Sequence, residues 1–308
     1  MASDGSSPAA PSSMSAKEAA PWEAVRGIQD GINAVYGAWE IKTRRGPIAD
    51  KPRMEKLTAD LGFDPPEMVF TSSFLSLENK STGLTLRLSA ADALAQVLPA
   101  GERPVQVAAA KHWQSANTTV VETALRTEED SGTGPSHDWT FTTGYRGTLG
   151  VESSQAASGS RLDVAESADG IDYALLSDKH VPIEHYDDVD LFESELDDNG
   201  QSRFHVKVRC MPDRTYILAR FWLRVDKVLL RAHETRIWCE HSRDELVREY
   251  CEKEAAWSQL KAEGHISMRD TTLAKKPDMA SPLLTKSLTV KERISVKPTG
   301  CPSAAAPE

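Results

Sequence analysis

Three strand-like segments in close succession, 204–210, 215–225 and 228–238, constrain this chain more than any other feature. All three are rich in β-branched and aromatic residues, which suit a pleated, half-buried surface. The links between them are short. Val225-Asp226-Lys227-Val228 leaves room only for a tight hairpin, and Asp198-Asn199-Gly200 places turn-forming residues just ahead of the first strand. Strands joined this way pair antiparallel, so this half of the chain must build a meandering sheet. An acidic run, 187–198, leads into it. Val189, Phe192 and Leu196 fall at helical spacing there, which predicts an amphipathic helix over 186–196.

The first half of the chain reads as shorter elements. Residues 22–36 are compatible with a short helix or a strand, with Gly27 and Gly31 weakening the helix, and 38–43 alternates as a strand does. A helix is predicted over 50–61, with Met54, Leu57 and Leu61 inward and Gly62 placed for a left-handed cap. Strands follow at 68–70, 74–78 and 84–88, with a turn at 79–83. Ser89-x-x-Asp92 then marks a helix start running to Leu98 before Pro99. Residues 105–107 and 139–143 read as strands, 108–114 as a short helix, and 115–136 and 150–170 as loops. Ser242-x-x-Glu245 has the form of a capping box opening a helix through Leu246, Tyr250 and Trp257. The sum is an α+β fold of antiparallel β-sheets packed together with flanking α-helices, in a single domain.

Composition matters most at the ends. Residues 1–24 are dominated by Ala, Ser and Pro, and 266–308 show no helical or strand period. Neither offers enough apolar surface to offset chain entropy, so both are expected to be disordered tails around a domain at 25–265. The formal net charge of −10 disfavours nucleic acid as a partner. No apolar run reaches the ~20 residues that span a bilayer. No basic start followed by an apolar stretch marks a secretory signal, so the expected location is the cytoplasm, with the nucleus also open.

Motifs for chemistry fall short. Cys210, Cys239, Cys251 and Cys301 contain no Cys-x-x-Cys pair. Gly144-x-x-Gly147-x-x-Gly150 lacks both the Gly-x-Gly start and the Gly-Lys-Ser/Thr of phosphate loops, and a turn explains it. His233-Glu234 has no second histidine for a zinc-protease motif, and His112, His137, His180 and His185 do not cluster as ligands do. The acids at 187–195 lack the loop glycine and ligand alternation of a calcium site. No Gly-x-Ser-x-Gly elbow occurs. No metal, cofactor or catalytic residue is therefore expected, and the chain reads as a non-enzyme.

Charge is segregated. Residues 151–198 hold 14 acids and two bases, whereas 203–248 hold 11 bases and six acids. Arg220, Arg224, Arg231 and Arg236 recur through the last strands. Their simplest use is internal pairing with the acidic run at 187–198. The alternative is capture of an acidic tail or terminal carboxylate from a partner.

Several segments, in order, resemble a known family. They are Gly37-Ala-Trp39-Glu-Ile41, Pro66-Glu-Met68-Val-Phe70, Ala91-Asp92-Ala-Leu94, Asp138-Trp139-Thr-Phe-Thr-Thr143-x-Tyr145-x-Gly147, Leu191-Phe192-Glu-x-Glu-Leu196-x-Asp198-x-Gly200, Val208-Arg-x-Met211-Pro212, Arg220-Phe-x-Leu-Arg224-Val-Asp226 and Glu234-Thr-Arg236. In this order, and over roughly 37–260, the chain is similar to the TIPRL family, the TOR signalling pathway regulator-like proteins. That resemblance implies a non-enzymatic regulator in TOR signalling. Its partners would be catalytic subunits of type-2A, type-4 and type-6 serine/threonine phosphatases and, in yeast, a phosphatase-associated adaptor. It also implies an α+β fold with a cleft for the phosphatase and its C-terminal tail. Carried over by position, the contact residues are Asp92, Ile171, Ala232 and Glu234, with Arg231, Thr235 and Arg236 beside them. The family more often has methionine at Ala232, so apolar contact is reduced here, and aspartate at Glu234, so the charge sits one methylene further out. Binding would compete with scaffold assembly or bias the phosphatase toward a metal-poor, inactive state.

Two other function classes make different demands. A hydrolase with an acid pair needs a deep pocket with converging Asp, Glu or His and strongly shifted pKa values. A scaffold for other signalling adaptors would act through the tails.

Overall fold

The computed structural model describes residues 29–99, 105, 137–152, 160–267 and 271–298. In chain order the elements are β1 (Gln29–Tyr36), β2 (Trp39–Arg45), α1 (Lys51–Leu61), β3 (Met68–Val69), β4 (Phe74–Asn79), β5 (Leu84–Ser89), α2 (Ala90–Leu94), β6 (Thr148–Val151), β7 (Ser160–Glu166), α3 (Tyr173–Leu176), β8 (His185–Ser194), β9 (Gly200–Met211), β10 (Arg214–Val225), β11 (Leu229–Glu240), β12 (Leu246–Ala256), α4 (Trp257–Ala262), α5 (Pro277–Ala280) and β13 (Thr285–Pro298). Single 3-10 turns, Leu273–Lys275 and Ser281–Leu283, flank α5.

The strands form two antiparallel sheets. One has five strands in the order β1-β2-β4-β5-β6, and the other eight in the order β3-β8-β9-β10-β11-β12-β13-β7. The expected α+β class holds, with few and short helices. The predicted meander is the centre of the large sheet: β10 pairs along its whole length with β9 on one side and β11 on the other. The β10–β11 hairpin turns at Asp226-Lys227, where Lys227 takes φ 65°. Inward side chains of the two sheets interdigitate in one core that includes Trp39, Ile41, Leu75, Leu77, Leu86, Val206, Phe221 and Leu223. Gly31 lies where β1 meets β8, and a side chain there would collide with the Asp187 carboxylate.

The helix over 51–61 forms as its sequence predicts. Asp50 caps it by accepting from the Arg53 amide at 3.1 Å, and Gly62 ends it with φ 79°.

Four expectations are overturned. Residues 185–194 are a strand, not a helix. A bulge between Asp190 and Phe192 buries Leu191 and Phe192 together, and this break in the alternation imitates helical spacing. Residues 246–256 are also a strand. It is covered on both faces, so alternation is lost, and Glu245 reaches Arg243 and Arg293 instead of capping a helix. Residues 139–143 form a turn, with Phe141 at φ 55° and Asp138 accepting from the Thr140 amide. The loop expected over 150–170 contains the end of β6 and all of β7.

The domain boundary moves as well. The stretch expected to be a tail from 266 contains α5 and β13, and β13 is inserted between β12 and β7. Its mixed polar sequence hides the strand because half of its side chains are exposed and nearly all the rest half-buried, with only Ile294 fully buried. Pairing on both edges, with Arg248–Glu292 at 2.7 Å and Lys297–Asp163 at 2.6 Å, supplies the cohesion. The stretches 1–24, 106–136 and 299–308, with their expected tails, strand, helix and loop, lie outside the described residues.

Candidate partner-binding surface

Strand β11 carries five of the seven sequence-predicted contact residues, and its pleat divides them. Arg231 and Thr235 point to the core side. Arg231 Nη1 donates to Thr142 Oγ1 at 2.9 Å and its Nε to Glu254 at 2.6 Å. Thr235 Oγ1 lies 3.5 Å from the Tyr145 carbonyl. Asp92 belongs to this side too. It sits in the first turn of α2, half-buried, and accepts from Thr148 Oγ1 at 2.9 Å and from Tyr145 Oη at 3.4 Å.

Ala232, Glu234 and Arg236 point to the outer face. Ala232 is fully buried with Trp222, Leu230, Leu260 and Leu284 beneath the C-terminal segment. Ile171 also reaches this face. It packs on Trp238 and Val247 and donates its amide to Glu249 at 2.8 Å. The structure therefore gathers Ile171, Ala232, Glu234 and Arg236 on one face and leaves Asp92, Arg231 and Thr235 on the other. Of the seven, Asp92 and Arg236 offer accessible side chains, while the other five are buried.

Glu234 is the hub of the outer face. It accepts from Arg220 Nε at 2.9 Å, Arg236 Nη2 at 2.5 Å, Lys253 Nζ at 2.9 Å and Ser281 Oγ at 2.6 Å. Burial works to raise its pKa, but the Arg220, Lys253 and Arg236 cations and the Ser281 hydroxyl overcome this and hold it at about 2. Asp278 of α5 extends the network, accepting from Arg220 at 2.6 Å and Lys207 at 2.7 Å. Burial opposes its ionisation too, yet those two cations hold it at about 2. On the other flank Arg236 meets Tyr173 Oη at 3.3 Å, and Tyr173 donates to Glu249 at 2.7 Å.

The arginines are thus paired within the protein, though not with the acidic run anticipated from charge segregation. Arg220 and Arg236 share Glu234, Arg224 pairs with Asp226, and Arg231 with Glu254. The acids of β8 take Arg203, Lys207 and Arg45 instead. Glu234 was placed by resemblance alone. Lys253, Ser281 and Asp278 escaped sequence reasoning because 246–256 read as a helix and 266–308 as a tail.

Exposed apolar side chains border this face. Tyr173 and Leu175 project from α3, Tyr186 from β8 and Met279 from α5, each more than one-third exposed. Aromatic and methionine side chains beside arginine are the residue types enriched at protein–protein contacts. Among the described residues no group of three or more His, Cys, Asp or Glu side chains is arranged to hold a metal. No described helix is long and apolar enough to cross a membrane.

The sequence model of the TIP41-like family matches residues 68–261. A TIP41-like protein of Arabidopsis thaliana is 37% identical over 239 residues, covering 74% of this chain and 79% of that protein. A TIP41-like protein of Homo sapiens is 33% identical over 226 residues, covering 73% and 77%. A protein of Schizosaccharomyces pombe named type 2A phosphatase activator tip41 is 30% identical over 241 residues, covering 75% and 84%.

Proposed function

The chain belongs to the TIP41-like family, and from that premise we propose that it is a non-catalytic regulator that binds the catalytic subunit of a type-2A-class serine/threonine phosphatase. The observation that carries this reading is the similarity, over three-quarters of the chain, to a relative named a type 2A phosphatase activator. The outer face supports it. Arg236, Tyr173, Leu175 and Met279 present guanidinium and apolar surface together, around a floor whose buried charges are already paired. Such a face suits an extended acidic or carboxylate-bearing segment of a partner, which arginine recognises bidentately. Within this reading the partner class includes type-2A, type-4 and type-6 catalytic subunits and a phosphatase-associated adaptor, and the output is TOR signalling in the cytoplasm.

The test is calorimetry of the full chain with a recombinant type-2A catalytic subunit, with and without that subunit's C-terminal tail. Binding is expected to weaken on removal of the tail, and to fall at least about tenfold with Arg236→Ala or Tyr173→Ala, the size of loss seen for interface anchors. Asp92→Ala, on the opposite side of the sheet, is expected to have a smaller effect. Full-strength binding by both outer-face variants, with thermal unfolding unchanged, would remove the partner from this face. No binding by the wild-type chain would defeat the reading itself.

A further inference from the structure

Beside the Glu234 network, under α5, the outer face holds a second feature, which shares Met279 with the proposed partner surface. It is a cavity of about 360 Å³. Its floor is the register row Arg203, His205 and Lys207 of β9 with Arg220 of β10 and Asp188 of β8, and its roof is 275–279. Five cations and two carboxylates line it. Arg203 is matched by Asp190, and Lys207 and Arg220 by Asp278. Lys275 and Lys276 have no carboxylate partner among the described residues, and both are exposed at the mouth.

His205 is the second observation. It is only 3% exposed, lines the cavity, and its Nδ1 is buried with no hydrogen-bond partner among the described residues. Burial first, and then the positive field of Arg220, Arg203 and Lys207, push its pKa down to about 3, so the ring is neutral and carries one N–H. Buried polar atoms are rarely left unmet in native proteins, so an unpaired ring nitrogen in the wall of a basic cavity offers a polar handle to whatever enters it. Asp188 Oδ1, in the same wall, also lacks a donor, and burial raises the Asp188 pKa.

The geometry points to a binding site for a phosphate monoester or free phosphate in this cavity. Cations approach from the floor and from the roof, which suits a tetrahedral head with several acceptor oxygens better than a flat carboxylate. A monoprotonated phosphate can also donate its O–H to the unpaired Asp188 Oδ1, while its other oxygens meet the lysines and the imidazole. The Asp278 carboxylate, on an exposed position of the roof, contacts Lys207 and Arg220 as an oxygen of such an anion would.

The experiment needs no phosphatase, so its failure is separate from that of the partner reading. Inorganic phosphate, O-phospho-L-serine and acetate are titrated into the full chain at fixed ionic strength, with heat and the imidazole nitrogen resonances as readouts. Both phosphates are expected to bind at one site and to shift the His205 ring signals, with acetate at least about tenfold weaker. The double variant Lys275→Gln/Lys276→Gln, confined to exposed side chains, is expected to weaken phosphate binding about tenfold through lost Coulomb attraction. Asp278→Asn is expected to tighten it, because it removes a competing carboxylate from beside Lys207 and Arg220. Tighter binding of O-phosphoserine supports a phosphorylated side chain as the source, and tighter binding of inorganic phosphate supports the free ion. Absence of a His205 shift, acetate binding as well as phosphate, or an unchanged affinity in the lysine variant would overturn the assignment.

Discussion

Along β10, Ile217, Ala219, Phe221, Leu223 and Val225 face the five-stranded sheet, while Arg220 and Trp222 face the other way, toward the C-terminal segment. Along β10 the inner face closes by apolar packing: Phe221 lies near Phe192 and His233, and every inward residue of the strand is almost fully buried, while the polar contacts of this face, such as Arg231 with Thr142 and Glu254, lie on neighbouring elements. The outer face closes by charge, through Glu234, its three cations and Asp278, with a small apolar cluster at one end. The difference teaches where function can reside. Apolar packing is non-directional and gains from being sealed. A buried ion network is directional, costs desolvation, and sits near balance, so a competing charge can reorganise it.

The largest effect should come from the packed face. Phe221→Ala removes a fully buried ring and is expected to cost about 4 kcal/mol in chemical denaturation. A loss under about 1 kcal/mol would mean that the inner face collapses readily around the gap and is not the rigid side of the comparison.

Next is Glu234→Gln, which strands Arg220, Lys253 and Arg236 without their shared carboxylate. A destabilisation of about 3 kcal/mol is expected, because broken buried pairs leave uncompensated charge. The companion variant Glu234→Leu/Lys253→Met removes one charge of each sign and should lose less than the single change. If it loses more, the network stabilises the fold outright and the contrast between the faces narrows.

The smallest effect is a local response to acid. Glu234 and Asp278 have folded pKa values lowered to about 2, from ordinary values of 4.5 and 3.8. Groups depressed this way contribute stability above their unfolded pKa and lose it as pH falls toward the folded one. Between pH 4.5 and about 2 the 273–284 cover should therefore loosen before the inner face does. Hydrogen exchange, followed by mass spectrometry across that range, should speed up in 273–284 relative to β2 and β4. Equal acceleration in both would show that the faces unfold as one unit.

Much of the fold was legible wherever a residue's neighbours in sequence decide its conformation. Asp50 and Gly62 bound their helix, and Asp226-Lys227 set a hairpin and with it the register of β10 and β11. Strands β4 and β5 showed clean alternation because one face of each is buried. Legibility failed where burial depends on distant chain. β12 is covered on both faces, β8 is bulged, and β13 is polar, so none carries the period that marks a strand.

The candidate surface was half legible. The arginine rhythm of 220–236 and the family-like segments pointed to β11, but pairing across the sheet chose the partners. Glu234 meets Arg220 because β10 and β11 are in register there, and Lys253 and Ser281 arrive from later elements. Local sequence dictated the turns, the caps and the central antiparallel meander, since these rest on backbone preferences within a few residues. Tertiary structure alone decided which charges are buried together, which side of β11 each contact residue takes, and that the polar C-terminal stretch forms a roof and a strand. Those outcomes depend on desolvation and cross-strand contacts between residues far apart in the chain.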